Sequence, residues 1–414
     1  MPKSKRIIPI LVLILLILLA VGLVFLKHHK KDHINPTKEE LLPTEYKRVK
    51  YEDGSEIVNY GTCTSKNEDE VCYLVVNESM LTLRNAKVTK EDGDSTDLDA
   101  SNKNGLNSAI LVTYNSIGKV EETVISTNGT GSSAIFINGR KARGILSSVT
   151  INTLKVNSPG LVATNEGNIT GDQVTINTKV KYSPAIKINH PRSSISLNKA
   201  LLETNGSGSP IIETTGAAIL TESTGNANGS RIAHIKDNGK AVINNSSLIV
   251  GGGDAEGYKE SAILMSSKEK NKLSVFQSIN SSLNVNQNLP YYKLASFVVI
   301  DNSTSEIDLE NTAINIGSNK FLKANNSNVT INLKNQVIFG EFELTNTKVQ
   351  LNMIDNSSYT GFINDNNVSV YLSKDSELNL TGNMHIKELK NDDPSNKNIT
   401  LNGYHLYVNG ELIK

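Results

Sequence analysis

Short runs in which apolar and polar residues alternate recur along this chain from about residue 45 to its end. Five runs open with a serine, at intervals of 25, 25, 25 and 26 residues: Ser108, Ser133, Ser158, Ser183 and Ser209. The third residue after each serine is apolar: Leu111, Phe136, Leu161, Ile186 and Ile212. The next position tolerates Lys187 and Glu213, so the two-residue period of a β-strand predicts that it faces solvent. We expect the five apolar side chains to stack inside the protein.

A second apolar column follows in the same repeats, within TVIST, VTINT, VTINT and ALLET. It contains Ile125, Ile151, Ile176 and Leu202. A period of about 25 residues with short strands and no helix is too short for a propeller blade, which needs roughly 40 residues, and it lacks the Leu-x-x-Leu-x-Leu of a leucine-rich repeat. The pattern predicts an all-β parallel β-helix over residues 45–414. Its roughly 14 coils, stacked about 4.8 Å apart, would form a rod about 70 Å long.

The two ends of such a solenoid need caps, because unpaired strand edges invite aggregation. At one end, GTCTSKNEDEVCYLVV predicts a hairpin that carries Cys63 and Cys72. The two cysteines either form a disulfide or remain free thiols, since their spacing does not fix the distance between their Cβ atoms. At the other end, turns are expected at Asn402-Gly403 and Asn409-Gly410.

The N-terminus differs from the repeats, because residues 7–26 contain no charged side chain. Twenty residues of helix span roughly 30 Å, the thickness of the hydrocarbon core of a bilayer. We interpret this stretch as a single transmembrane signal-anchor helix, with residues 1–6 in the cytoplasm, residues 27–44 as a juxtamembrane linker and the repeats outside the cell. A cleaved signal peptide ending near Ala20-Val21-Gly22 is the alternative.

Composition agrees with a narrow interior, since 38% of the residues are hydrophobic, 5% are aromatic and none is tryptophan. Residues 1–33 hold six of the 42 basic residues and one of the 42 acidic residues, so the remaining chain carries 36 and 41 and a net charge of −5. A mildly acidic ectodomain is unsuited to neutralising phosphates, which excludes nucleic acid as a partner.

Several stretches resemble one kind of bacterial surface protein. They are EDGDSTDLDASNKNGLNSAILVTYNS, GSSAIFING, SSVTINT, SPGLVATNEGNIT and ELNLTGNMHIKELKNDDPSNKNITLNGYHLYVNG. Together they are similar to adhesin-like, autotransporter-passenger-like proteins with right-handed parallel β-helices. The resemblance implies an extracellular, non-enzymatic role toward a surface ligand such as a glycan, a matrix protein or another cell. It supplies no functional residues.

A polysaccharide lyase or hydrolase is the enzymatic alternative, because parallel β-helices also carry such activities. Hydrolysis of this kind needs two or three carboxylates close together. The usual signatures, Asn-Thr-Asp, Asp-Asp, Gly-His-Gly and Arg-Ile-Lys in that order, do not occur as a set, and Asp392-Asp393 stands alone. We therefore expect no enzyme activity and assign no catalytic residue.

A calcium-dependent glycan-binding module is the other alternative. Candidate calcium ligands are Asp92, Asp94, Asp97 and Asp99. The stretch is not an EF-hand, because Asn102 occupies the position of the obligatory glycine, and a solvated acidic loop is the competing interpretation. For ligand contact the best aromatic candidates are Tyr291 and Tyr292 in an inserted loop, although paired tyrosines also pack against their own solenoid.

Overall fold

The structure is a computed structural model. It describes residues 46–251, 261–286, 294–316 and 319–413. Residues 43–414 form one compact unit. The predicted membrane helix at residues 7–26 and the linker at 27–44 lie outside the described residues, as does the cytoplasmic segment. Within the described ranges, no helix has the length and apolar character needed to cross a bilayer.

Forty-one strands and one short helix are described, in chain order. The first part contains β1 (Lys47–Asn59), β2 (Thr62–Ser65), β3 (Glu70–Arg84), β4 (Lys87–Lys90), α1 (Leu98–Asn104), β5 (Ile110–Val112), β6 (Ile117–Glu121), β7 (Val124–Thr127), β8 (Ile135–Asn138), β9 (Arg143–Ser147), β10 (Thr150–Thr153), β11 (Leu161–Thr164), β12 (Asn168–Asp172) and β13 (Thr175–Thr178). The middle part contains β14 (Ile186–Ile188), β15 (Ser194–Asn198), β16 (Leu201–Thr204), β17 (Ile212–Thr214), β18 (Ala217–Thr221), β19 (Thr224–Ala227), β20 (Ala233–Lys236), β21 (Lys240–Asn244), β22 (Ser247–Val250), β23 (Ser261–Ser266), β24 (Leu273–Ile279), β25 (Ser282–Val285), β26 (Ser296–Asp301), β27 (Thr304–Glu310) and β28 (Ala313–Asn315). The last part contains β29 (Lys320–Asn325), β30 (Asn328–Lys334), β31 (Val337–Phe339), β32 (Glu341–Thr345), β33 (Lys348–Ile354), β34 (Ser358–Gly361), β35 (Val368–Leu372), β36 (Glu377–Leu380), β37 (Met384–Ile386), β38 (Glu388–Asn391), β39 (Ile399–Thr400), β40 (Leu406–Val408) and β41 (Glu411–Leu412).

Most strands pair in parallel with the strand at the same position in the next coil. A typical coil consists of β11, β12 and β13, and β11 pairs with β8 below it and β14 above it. The strands form sheets of 24, 10, 4 and 3 strands, of which the largest joins the first and second strands of the coils through the long β1 and β3. This all-β parallel solenoid is consistent with a β-helix, as the repeats predict.

The predicted stack of five apolar residues, Leu111, Phe136, Leu161, Ile186 and Ile212, is correct for the last three residues and wrong for the first two. Leu161 pairs with Ile186, which pairs with Ile212, and all three are buried. Below them the column continues through Ile135 and Ile110, whereas Phe136 and Leu111 lie one position along and point to the outer face. Consequently Val112 and Ile137, which the same alignment placed outside, belong to the core.

An extra residue in one coil explains this shift. Ile135 and Leu161 are ladder partners 26 positions apart, so a constant interval of 25 misplaces everything before residue 161. The serines show the same slip, because the backbone N–H of Ser132, and not that of Ser133, donates to Ser158 Oγ at 3.1 Å. Since residues on both sides of Ile135 are apolar, alternation could not fix the register there.

The second predicted column is confirmed. Ile125, Ile151, Ile176 and Leu202 are consecutive ladder partners in the 10-stranded sheet, and all are buried. The column extends toward the N-terminus through Val88 to Cys63. One β-branched or aliphatic residue per coil therefore fills this side of the interior, while its neighbours along the strand are exposed or half-buried.

Helix α1 was missed by the sequence analysis, which predicts no helix after the N-terminus. It begins after Asp97, whose side chain accepts hydrogen bonds from two backbone N–H groups of the first turn, and ends at Gly105 in the left-handed conformation. Gly105 lies against the outward side chains of Leu111 and Phe136. The α1 segment thus covers an apolar strip that would otherwise face water, so Leu111 and Phe136 are buried.

The corner between the second and third strands repeats one backbone conformation. Its residue has φ between 45° and 55° in Asn85, Glu122, Ser148, Gln173, Lys199, Glu222, Asn245, Asn280, Asn311 and Asn335. Asparagine is common at this corner because it tolerates positive φ. Lysine, glutamate, glutamine and serine also occupy this corner, since the N–H of each such residue is held by a carbonyl of the next coil, as from Glu122 to Ser147 at 2.9 Å.

The predicted N-terminal hairpin is wrong. β1 pairs with β3 and β2 pairs with β4, both in parallel, so Cys63 and Cys72 lie on different sheets of the solenoid. The C-terminal turns are confirmed, with positive φ at Asn402-Gly403 and Asn409-Gly410. The second of these turns joins β40 to β41, an antiparallel pair, whereas the coil-to-coil pairs are parallel.

Candidate functional site

The predicted site residues do not come together. Tyr291 and Tyr292 lie outside the described residues. In the acidic stretch, Asp94 Oδ1 accepts the N–H of Thr130 at 2.7 Å, Asp97 caps α1, and Asp99 pairs with Lys103 at 2.9 Å. Asp92 contributes negative charge near Lys90. Within the residues that are described, no group of three or more His, Cys, Asp or Glu side chains could hold a metal ion. Calcium binding therefore stays a prediction.

Cys63 and Cys72 are both buried, and their thiols are free in this structure. The hydrogen bond with Cys72, together with burial, raises the pKa of Cys63. Cys72 Sγ also lies 3.7 Å from the carbonyl oxygen of Thr89. The disulfide stays a prediction, for which the two sulfur atoms are favourably placed.

The interior of the first coil is charged where later coils are apolar. Lys50 and Glu52 on β1 are ladder partners of the core residues Tyr73 and Val75. The Lys50 ammonium lies 5.3 Å from the centre of the Tyr73 ring. Burial, reinforced by a hydrogen bond with the neighbouring Glu56, raises the pKa of Glu52 to about 7. This polar layer is the observed cap of the hydrophobic core at its N-terminal end.

One outward position recurs along the first strands of the coils, and we call its residues the outer column. It contains Leu111, Phe136, Val162, Lys187, Glu213, His234, Leu264, Val299, Lys323 and Glu343. The first three residues are apolar and buried, and Leu111 and Phe136 contact the α1 segment. The column then becomes charged, which places ionisable groups beside a low-dielectric strip.

The charged middle of the outer column is a compact ion cluster. Glu213 lies between Lys187 of the preceding coil and Lys236, whose Nζ is 2.9 Å from Glu213 Oε1. Burial raises the pKa of Glu213, but the two ammonium groups outweigh burial and hold this pKa at about 2. Burial and Lys236 lower the pKa of His234 to about 3, so this imidazole is neutral at physiological pH.

His234 also contacts a potential nucleophile, since its Nε2 lies 3.0 Å from Ser266 Oγ. A catalytic base works best with a pKa near the operating pH, and a pKa of about 3 makes His234 a weak base. Glu213, the carboxylate of the adjacent coil, accepts a hydrogen bond from Lys236. These contacts support a structural role, in which Glu213 is neutralised and the coils are tied together.

A second outward surface lies on the second strands of the C-terminal coils. We call its core the polar ladder: Glu306, Asp308, Asn332, Gln350 and Asn352. Asn332 Nδ2 donates to Glu306 Oε1 at 3.1 Å and to Asp308 Oδ1 at 2.8 Å, and Asn352 Nδ2 donates to Asn332 Oδ1 at 2.8 Å. Gln350 Nε2 donates to Asn352 Oδ1 at 2.9 Å. These bonds hold the side chains in one orientation across three coils.

A shallow pit of about 310 Å³ lies where the polar ladder ends. It is lined by Gln350, Ser369, Val370, Tyr371, Glu388 and Lys390. Ser369 is stacked between Gln350 of the preceding coil and Glu388 of the next, so a small side chain between two long ones leaves the space. The Tyr371 hydroxyl donates to Asp392 Oδ2 at 2.7 Å, and the Lys390 ammonium lies 5.1 Å from the centre of its ring.

Sequence reasoning missed this pit because its residues are brought together only by stacking. Gln350, Ser369 and Glu388 are 19 residues apart along the chain, whereas the repeats that reveal the solenoid have a period near 25. The signal that could have found them is the recurrence of SNVTINL, TKVQLNM and NNVSVYL, aligned as successive coils.

Comparison with known proteins adds no assignment. No model of a known protein family matches the chain, and no curated protein is similar to it.

Proposed function

We propose that this chain is a non-enzymatic, adhesin-like surface protein whose solenoid displays a binding surface outside the cell. Residues 7–26 would anchor it in the membrane as a single span, and the solenoid would be a right-handed parallel β-helix. The ligand would be a glycan, a matrix protein or another cell. The sequence resemblance to adhesin-like β-helical proteins supports this role, and so does the surface of the described coils.

The observation that carries the proposal is the polar ladder. Asp308, Asn332 and Asn352 occupy one outward position in three successive coils. Because Asn332 is bonded on both sides, the ladder is ordered before any ligand arrives, and little side-chain entropy remains to be lost on binding. A flat and pre-ordered polar face suits recognition of an extended ligand.

The same surface argues against catalysis. An active site gathers acid, base and positioning groups in a concavity that excludes water. In the described part of the chain, the two carboxylates of the ladder, Glu306 and Asp308, accept from the same Asn332 amide on an open face, and the pit next to the ladder is shallow. His234, the most strongly perturbed imidazole, is held neutral inside an ion cluster.

The test compares attachment of purified residues 34–414 to cells and matrix proteins with attachment of two triple variants. One variant combines Asp308→Ala, Asn332→Ala and Asn352→Ala. The control combines Asn152→Ala, Asn177→Ala and Asn226→Ala, which are outward positions on the 10-stranded sheet. The proposal expects attachment that only the first variant loses.

Two results would overturn the proposal. Release of uronate from pectin-like polymers by the unmodified protein would identify an enzyme. Equal attachment of both variants would show that the polar ladder is not the binding surface. Calcium-dependent retention on a glycan array would instead favour the calcium-dependent binding module.

A further inference from the structure

The pit beside the polar ladder has the geometry of a site for one small polar ring. Gln350 and Glu388 form its opposite sides and lie two coil steps apart, a separation of about 9.6 Å between their strands. Ser369 forms the floor, and Tyr371 rises beside it two residues further along β35. Small-molecule pockets range from about 300 to 1,000 Å³, so a volume of about 310 Å³ suits a single unit rather than a chain of units.

The groups around the pit are chemically mixed. The Glu388 carboxylate offers acceptors, the Lys390 ammonium offers donors, and the Ser369 hydroxyl offers both. Glu388 and Lys390 are exposed, so they are accessible to a ligand. Tyr371 adds an aromatic ring whose position is fixed by the hydrogen bond from its hydroxyl to Asp392. A ligand that both donates and accepts hydrogen bonds and also has an apolar face matches this set.

The local charge narrows the ligand class. Of the residues that line the pit, Glu388 is negative and Lys390 is positive, so the lining carries no net charge to favour an ionic ligand. An anionic ligand would meet repulsion from Glu388, and a cationic ligand would meet repulsion from Lys390. A neutral ligand encounters no such penalty.

We propose that the pit binds one neutral hexopyranose unit of a surface glycan. This inference rests on the proposed function and deepens it, because it names the ligand class and the place on the display surface. The sugar hydroxyl groups bond to Glu388 and Ser369, and an apolar face of the sugar lies against Tyr371. The polar ladder on the adjacent coils then accommodates the rest of the glycan.

The experiment uses the full chain in detergent micelles and measures binding of methyl glycosides of glucose, galactose and mannose by saturation-transfer NMR and calorimetry. Glucuronic acid serves as the anionic probe. Ser369→Leu fills the pit without removing a charged group, and Glu388→Gln removes the anionic acceptor. Each variant is expected to weaken binding about tenfold or more, Ser369→Leu because it fills the pit and Glu388→Gln because a neutral acceptor replaces a charged one.

Ala217→Leu is the matched control, because Ala217 occupies the same register position as Ser369, between Ser194 and Lys240. It should bind the sugar as the unmodified chain does, with the same melting temperature as Ser369→Leu. Absence of binding by all three methyl glycosides, or unchanged binding by Ser369→Leu, would overturn the inference. Tighter binding of glucuronic acid than of the methyl glycosides would overturn the inference that the ligand is neutral. If Ser369→Leu still attaches to cells as the unmodified chain does, the assignment of the glycan site to the pit is wrong, whereas the proposed function stands.

Discussion

The Lys187 ammonium donates a hydrogen bond of 2.9 Å to Oδ1 of Asn102, a residue 85 positions earlier on α1. Asn189 Nδ2 donates to the Asn102 carbonyl oxygen at 3.0 Å from the same strand end. Both contacts join the end of α1 to a coil three turns further along the solenoid. They fix the α1 segment over the buried strip that contains Leu111 and Phe136.

Replacing Lys187 with methionine should loosen α1. Lys187→Met keeps the aliphatic stem but leaves Asn102 without this donor and Glu213 with one ammonium fewer, so we expect a loss of about 1–3 kcal/mol in the free energy of unfolding. Hydrogen exchange should accelerate in residues 98–107. Lys179→Ala, at an exposed position near the same coils, is the control and should change neither quantity. Unchanged exchange in α1 would contradict the role of Lys187.

Gly105→Ala should be more damaging than its backbone conformation alone requires. Gly105 has φ of 78°, and an added Cβ would lie 2.7 Å from Phe136 Cγ and 2.8 Å from Leu111 Cδ1. Gly403 has φ of 89° with open space around the same position, so Gly403→Ala isolates the conformational cost of about 1 kcal/mol. The urea midpoint of Gly105→Ala should fall well below that of Gly403→Ala. Equal midpoints would show that the α1 segment accommodates the added Cβ without a loss of stability.

The parts of the fold that the sequence predicts are those where the alternation is clean. The column from Ile125 to Leu202 was placed correctly because a polar residue follows each apolar one and marks the outward position: Ser126, Asn152, Asn177 and Glu203. At Ile135 the neighbours on both sides are apolar, since α1 buries the outer face there, and alternation then carries no information about register. Asp97 and Gly105, which cap α1, were the available signals for the missing helix.

The polar ladder and the pit could not be predicted from the sequence, for a different reason. Asp308, Asn332 and Asn352 are ordinary solvent-facing residues when read one strand at a time. Their significance depends on which coil lies above which, and the C-terminal coils differ in length, so no constant period aligns them. The polar ladder and the pit arise because residues far apart in the sequence stack on one another. The local pattern of apolar and polar residues does not reveal this stacking.

The stability of the N-terminal coil should fall as pH rises from about 4.5 to about 7. Glu52 has a pKa of about 7 in the folded protein and 4.5 as its ordinary value, so the folded state favours the protonated carboxyl. Protonation therefore stabilises the coil below pH 4.5, and this contribution is lost as pH rises through 7. Hydrogen exchange in β1, measured at pH 5 and pH 8 and corrected for intrinsic rates, should report this loss.

Glu52→Gln is the comparison that isolates this effect. His234 acts in the opposite direction between about pH 3 and 6.5, because the pKa of its imidazole is lowered in the fold and its neutral form is favoured. Glu52→Gln leaves His234 unchanged and should remove the pH dependence of exchange in β1 alone. The same dependence in Glu52→Gln would assign the effect to another group.

Cys63 and Cys72 should form a disulfide when the protein is exposed to an oxidising compartment. The two thiols are buried and share a hydrogen bond, on strands that ladder pairing holds in place, so they are positioned to be joined. With oxidised glutathione, the two thiols lose two electrons and two protons as one S–S bond forms, and two molecules of reduced glutathione are released. Closing a loop of about ten residues should add about 2–3 kcal/mol to the free energy of unfolding.

Peptide mapping without reduction should recover the peptides of Cys63 and Cys72 as one linked species, lighter by two hydrogen atoms. The urea midpoint of the oxidised protein should exceed that of the reduced protein, whereas Cys63→Ser should show one midpoint under both conditions. Because both thiols are buried, alkylation must be carried out after unfolding, when every free thiol can react. Full alkylation of both cysteines in protein treated with oxidised glutathione would contradict the disulfide. The polar layer of Lys50 and Glu52 would then be left to close this end of the solenoid without a covalent link.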